Sequence, residues 1–246
     1  MGEFTDRIAS CSIYKTKDQC LDLPAKLYQV VKFDLPEDQL KVYTDLKKGF
    51  IAEFRDTVVS APVVLTRLMR FSQITAGFTK DVEGVEHDFT SNPKLDWLCD
   101  FISNLEESRK VVVFCRFTRE IQLVEEALQR SGITFVRVSG STKDRIGCVK
   151  RFNSDTGGVR VFVGQLQTTG IGINLTAASY VVFMTNSYSY GERVQAEDRC
   201  HRIGQDKNVT YIDLLYKNTI DVNILRTLKN KESMAHMVTK DLIRMV

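Results

Sequence analysis

From about residue 92 onward, short apolar runs alternate with longer amphipathic stretches. The runs "VVVFC" (111–115), "ITFVRV" (133–138), "VRVFVG" (159–164), "YVVFM" (180–184) and "VTYIDLLY" (209–216) are rich in β-branched and aromatic residues. Runs of that length and composition read as strands buried on both faces. The stretches between them, "KLDWLCDFISNLEE", "REIQLVEEALQRSG" (ended by Gly132), "KDRIGCVKRFNS" and "RVQAEDRCHRIGQ", carry helical spacing. Five strands alternating with helices predict an α/β fold, an open parallel sheet with helices on both faces and right-handed crossovers.

The first ninety residues follow another pattern. "LYQVVKF" reads as a strand, Leu35-Pro36 as a turn, and the residues after it as a helix. "APVVLTRLMRFSQITAGF" reads as a second helix, and "TKDVEGVEHDFTSNP" as a polar loop. This gives a connecting segment over 1–26 and one lobe over 27–246, with a helical extension at about 36–90. Apolar residues at 220, 224, 228, 234, 238, 242 and 245 predict one long or broken amphipathic helix at the end.

Composition alters this picture little. Charged residues are 26% of the chain and the net charge is +3, so any nucleic-acid surface must arise from local placement of charge. Six cysteines stand at 11, 20, 99, 115, 148 and 200 without paired spacing, which suits buried thiols in a reducing compartment. Cys200-His201 has no further ligands at workable spacing, so no metal site is expected. No apolar run is long enough to span a membrane, and the first residues lack a signal peptide's apolar core.

Ligands of open parallel sheets gather at the carboxyl ends of the strands. The loops to inspect are therefore Arg116-Phe117-Thr118, Ser139-Gly140-Ser141-Thr142 and "QTTGIGINLT". All three are expected on one edge, offering hydroxyls, guanidiniums and backbone N–H groups to phosphates. Each also has an ordinary explanation. Ser141 or Thr142 could simply cap the next helix, and the glycines at 170 and 172 do not complete a dinucleotide fingerprint because position 175 is Leu.

Gln195, Arg199 and Arg202 are spaced i, i+4 and i+7, one stripe on a helix, while Ala196, Cys200 and Ile203 form an apolar stripe beside it. The ordinary explanation is a surface pair of Asp198 with Arg202, worth about 0.3–0.5 kcal/mol. That pair accounts for neither Gln195 nor the shared stripe.

In order and spacing, "VVVFCRFT", "VSGSTKDRIGCVKRFN", "GQLQTTGIGINLTAASYVVF" and "RVQAEDRCHRIGQ" resemble the motifs of the second RecA-like lobe of superfamily-two helicases. "QAEDRCHRIGQ" after "GIGINLTAA" resembles the Swi/Snf-type DNA-dependent ATPases in particular, and "YKTKDQCLDLPAKLYQVVKFDLPEDQLKVY" is similar to that family's crossing between lobes. Neither GxxxxGK[ST] nor a DExx box is present. In that family both belong to the N-terminal lobe, which holds ATP with Mg²⁺.

The resemblance implies a motor lobe of a double-stranded-DNA translocase. Gln195, Arg199 and Arg202 would face an ATP γ-phosphate held by the N-terminal lobe, with Gly170 and Gly172 near the nucleotide. Arg116, Thr118, Gly140, Ser141, Thr142, Asn174 and Thr176 would contact the DNA backbone. It also implies that this chain alone hydrolyses essentially no ATP. A stand-alone nucleic-acid- or protein-binding regulatory lobe is the alternative, and a dinucleotide or sugar-nucleotide enzyme a remote one. The form "SYSYGERVQAEDR" is read as favouring bacterial or viral-infected cytoplasm over the nucleus.

Overall fold

The computed structural model describes residues 21–56, 61–154, 156, 158–167 and 172–230, with only the backbone for 52–56 and 61. Fifteen elements follow one another: β1 (Lys26–Phe33), α1 (Glu37–Asp56), α2 (Ala61–Thr75), β2 (Phe78–Lys80), β3 (Glu86–Asp88), α3 (Pro93–Asn104), β4 (Lys110–Cys115), α4 (Thr118–Arg130), β5 (Phe135–Val138), α5 (Arg145–Asn153), β6 (Val161–Gln165), β7 (Ala178–Phe183), α6 (Tyr190–Cys200), β8 (Val209–Tyr216) and α7 (Ile220–Asn230). The main sheet runs β1-β8-β7-β4-β6-β5, with all neighbours parallel. The predicted five-stranded core is present, and "KLYQVVKF" adds a sixth strand at its edge, with Lys26 already paired to Val209.

Alternation along the strands builds two cores. On β4, Val111 and Val113 face Leu98, Ile102, Ile121, Val124 and Leu128 of α3 and α4. Val112 and Phe114 face the other way, in a cluster with Cys148 and Phe152 of α5 and Ala196 and Cys200 of α6. Every residue of β8 is buried, Asp213 included. A third cluster joins α1 and α2 (Tyr43, Phe50, Val64, Leu68, Phe71, Ile74) to α7 (Ile220, Ile224, Leu228) and to Tyr188. The helical extension therefore packs onto the lobe as part of the same body.

Gly77 ends α2 with φ +100, and a Cβ there would lie 2.3 Å from Asn92 Nδ2, so only glycine fits the turn. The predicted polar loop after it folds instead into an antiparallel hairpin, with Phe78 paired to Asp88 and Lys80 to Glu86. At the far end α7 reaches Asn230, and the apolar positions 234, 238, 242 and 245 lie outside the described residues. No helix among the described residues is long and apolar enough to cross a membrane.

Candidate functional site

Parallel strands put all their carboxyl ends on one edge, and this edge carries Arg116, Thr118 and the turn from Ser139 to Thr142. Thr118, Gly140 and Ser141 are exposed and Thr142 half-buried. The turn is tied internally: Ser139 N–H donates to Thr142 Oγ1 at 2.9 Å, and Arg145 donates to the carbonyls of Gly140 and Thr142. Neither Ser141 nor Thr142 caps α5. That role belongs to Asp144, whose carboxylate accepts the Gly147 N–H at 2.8 Å.

Arg116 differs from an open surface cation. Its Nη1 donates to Ser72 of α2 at 3.1 Å, and its guanidinium lies over the Phe117 ring. Burial pulls its pKa down, against the pull of Tyr188, Glu120 and other acids around it. The loop is held by Glu120, whose buried carboxylate accepts the Arg116 and Phe117 N–H groups on one oxygen and the Thr185 hydroxyl on the other. Burial raises the Glu120 pKa despite these three donors.

The loop after β6 does not stay on that edge. Its described residues 172–177 lead into β7 at the amino end, where the Asn174 carbonyl accepts from Asn153, the last residue of α5, at 2.8 Å. Asn174 and Thr176 are thus separated from Thr118 and Ser139–Thr142. The separation follows the length of α6, which has 11 residues, roughly 16 Å at 1.5 Å per residue. Gly172 is exposed, and a Cβ there would meet open space. Gly170 lies outside the described residues. The expectation of a single phosphate-binding edge is therefore corrected to two groups of residues.

The second group is completed by α6. The Ser189 hydroxyl caps it by accepting the Glu192 N–H, so the helix starts at Tyr190, earlier than periodicity suggests. It also ends earlier, at Cys200. Gln195 and Arg199 share its outer face, whereas Arg202 follows in a turn. The apolar stripe holds at Ala196 and Cys200, both fully buried, but Ile203 is 71% exposed.

Among the described residues neither Arg199 nor Arg202 has an ion pair; Asp198 turns to Lys26 at 3.8 Å instead of Arg202. Arg199 Nε is buried without a hydrogen-bond partner. Burial, then the positive charge of Arg202, lowers the Arg199 pKa, with Asp198 partly offsetting them. A guanidinium can meet two phosphate oxygens at once, which is chemistry that two adjacent arginines offer.

Arg193, on the inner side of α6, is by contrast fully committed. It pairs with Asp213 at 2.5 Å and Glu197 at 2.9 Å, donates to Asn186, and lies over Phe183. Burial opposes its charge, but Asp213 and Glu197 outweigh that and raise its pKa. Glu197 also accepts from Lys26 and Tyr28 of β1. His201 reaches the carbonyl of Pro24 through Nε2 at 2.7 Å, and Cys200 is a buried free thiol. The Cys–His neighbours are thus structural, and no described cluster of His, Cys, Asp and Glu could hold a metal.

Gln205 ends the "RVQAEDRCHRIGQ" motif but receives no role from its spacing, and it is buried at the centre of this group. Its amide donates to the carbonyls of Thr176, Ala178 and Cys200.

Comparison with known proteins shows what this chain is similar to. The helicase conserved C-terminal domain matches residues 93–204. The chain is 33% identical over 148 residues to the helicase SWR1 of Kluyveromyces lactis, covering 59% of this chain and 9% of that protein. It is 27% identical over 224 residues to snf22 of Schizosaccharomyces pombe, a subunit of the SWI/SNF chromatin-remodelling complex, covering 85% and 13% respectively. The chain thus spans only a small part of these relatives.

Among solved structures, the C-terminal part of the Fun30 ATPase domain superposes with a TM-score of 0.71 at 20% identity, covering 87% of this chain and 92% of that one. The Sulfolobus solfataricus SWI2/SNF2 ATPase core in complex with dsDNA gives 0.69 at 24%, covering 93% and 50%. These relatives overturn the preference for bacterial or viral cytoplasm over the nucleus. One of them belongs to a eukaryotic chromatin-remodelling complex, and the short form "SYSYGERVQAEDR" carries no physical information about its source. Over residues 93–204 the chain carries the helicase conserved C-terminal domain; it is similar in sequence to Swi/Snf-type ATPases and has the RecA-like fold of their C-terminal part.

Proposed function

We propose that this lobe serves an ATP-driven double-stranded-DNA translocase by presenting Arg199 and Arg202 to the γ-phosphate of an ATP held by an N-terminal lobe. The observation that carries the reading is the pair itself: two adjacent guanidiniums without an acidic partner among the described residues, one with a buried, unspent Nε. A surface pair would have found its carboxylate. When the lobes close, the arginines would stabilise charge developing during phosphoryl transfer, a contribution of roughly 10³–10⁵ in rate for arginine fingers. Gln195, exposed one turn earlier on α6, would meet the nucleotide from the same side. Gly172, and Gly170 before it, would let the backbone approach it.

The residues here suit phosphate oxygens and not Mg²⁺, which guanidiniums repel, so the ion would be held by the N-terminal lobe. Duplex DNA would lie against the carboxyl edge, at Thr118, Gly140, Ser141 and Thr142, with Arg116 reaching it only at its half-buried tip. Asn174 and Thr176 would belong to a strip between the arginines and the DNA. The Sulfolobus core in complex with dsDNA supports DNA as the ligand class.

The test is ATP turnover by the chain joined to its N-terminal lobe, with and without duplex DNA, for the parent and Arg202→Ala. DNA-stimulated turnover that Arg202→Ala abolishes while DNA binding survives supports the reading. Turnover untouched by Arg202→Ala, or DNA-stimulated turnover by this lobe alone, contradicts it.

A further inference from the structure

We propose that Gln205 is the positioning residue that couples the two arginines to the 172–177 strip, so that DNA engagement and phosphate sensing move together. The inference rests on the proposed role of Arg199 and Arg202. Gln205 is 6% exposed, and its Nε2 lies 3.1 Å from the Thr176 carbonyl, 3.0 Å from that of Ala178 and 3.0 Å from that of Cys200. Two amide hydrogens serve three acceptors, so the donor capacity of the side chain is saturated. Its Oε1 accepts the Lys207 N–H at 3.0 Å, and its own N–H donates to the Arg202 carbonyl at 3.0 Å.

These partners are not a random set of buried carbonyls. Cys200 is the last residue of α6, so Gln205 closes the Arg202 turn from both ends, by backbone at Arg202 and by side chain at Cys200. Thr176 and Ala178 bracket the point where the strip enters β7. The Leu175 N–H donates to the Arg199 carbonyl at 2.9 Å, a second tie between the same two segments. A displacement of the strip is thereby transmitted to the backbone that carries both guanidiniums. Without the amide, the carbonyls of Thr176, Ala178 and Cys200 lose this donor and Gln205 holds the turn only by its backbone bond to Arg202.

The experiment uses the two-lobed protein and compares Gln205→Leu, Gln205→Glu and Arg202→Ala with the parent. ATP turnover is measured with and without duplex DNA, beside DNA affinity. Gln205→Leu is expected to lower DNA-stimulated kcat roughly 10–100-fold, the scale of an ångström-level misplacement of a catalytic group. The KM for ATP and the DNA affinity are expected to stay within about twofold, because the binding contacts themselves remain. A merely structural glutamine would not produce that split.

Gln205→Glu keeps the shape of the side chain and supplies the check should the leucine variant fail to fold. Its protonated carboxyl donates to one carbonyl, whereas its ionised form faces all of them. Its DNA-stimulated kcat should therefore fall with rising pH more steeply than the parent's. A leucine variant with the parent's DNA-stimulated kcat, a loss confined to KM or DNA affinity, or a glutamate variant with the parent's pH profile overturns the proposal. If Arg202→Ala leaves turnover intact, the underlying function fails instead. If Arg202→Ala is inactive and Gln205→Leu normal, only the coupling role fails.

Discussion

The ammonium of Lys94 lies 2.8 Å from a carboxylate oxygen of Asp221, with both side chains almost wholly buried. Lys94 also donates to the Met184 carbonyl at 3.1 Å, and Asp221 accepts the Thr75 hydroxyl and the Tyr216 N–H. One ion pair thus ties α3 and α7 to α2 and to the carboxyl ends of β7 and β8. Removing one partner strands the other charge inside, which costs about 3–5 kcal/mol. Lys94→Ala and Asp221→Ala are each expected to lower the unfolding free energy by that amount in urea titrations. The double variant Lys94→Met with Asp221→Leu should lie closer to the parent than either single change. A single variant within about 1 kcal/mol of the parent, the range of exposed pairs, would sink this account.

Arg193 and Arg199 stand six positions apart in sequence and should answer mutation in opposite ways. Arg193 neutralises Asp213, whereas Glu197 also has Lys26, so Arg193→Ala strands the buried Asp213 carboxylate without a cation and should destabilise by about 3–5 kcal/mol. Arg199 sits beside Arg202 with its Nε buried and unspent. Removing it relieves both costs. Arg199→Ala should therefore be neutral or stabilising in the same titration, as expected of a site kept for function at the expense of stability. A destabilisation comparable to that of Arg193→Ala would show that Arg199 is a structural residue.

The buried Glu120 gives a pH dependence whose sign is fixed. Burial raises its folded pKa above the ordinary 4.5, so the folded chain holds the proton more tightly than the unfolded chain. Its contribution is most favourable at low pH. It is lost as pH rises above the unfolded value and through the folded one. Glu120→Gln should abolish this loss, since a glutamine can turn its oxygen to the Arg116 and Phe117 N–H groups and its amide to Thr185. Unfolding titrations of parent and variant across that range check it. A stability difference that does not change with pH would contradict the assignment.

The sheet was legible in the sequence because strands buried on both faces leave continuous apolar runs, as "VVVFC" and "VTYIDLLY" do. β1 could be read as a strand but not placed, since an edge strand exposing Leu27 and Tyr28 carries no such run. The spacing of Gln195, Arg199 and Arg202 suits a helix, but periodicity does not report where a helix stops. Only the early end of α6 puts Arg202 in a turn. Nor does a pattern show that Asn174 lies beside the ends of α5 and α6, which puts Asn174 and Thr176 at the amino end and not the carboxyl edge. The role of Gln205, the last residue of its motif, was hidden for a plainer reason: its partners are backbone carbonyls, which every residue carries.

That division into two edges makes the DNA contacts separable by salt. Each phosphate neutralised by a cation releases counterions, so log affinity falls with log salt by about 0.9 per contact. Lys143 is exposed next to Thr142, whereas Arg145 is spent on the carbonyls of Gly140 and Thr142. In the two-lobed protein, Lys143→Ala should weaken duplex binding and reduce the salt slope by about 0.9. Ser141→Ala removes an uncharged donor. It should weaken binding while leaving the slope unchanged, because no counterion is released by a hydroxyl. Arg202→Ala should alter neither affinity nor slope in the absence of nucleotide. If Lys143→Ala and Ser141→Ala bind as the parent does while Arg202→Ala flattens the slope, the DNA lies against the amino edge. The roles proposed for the two groups would then have to be exchanged.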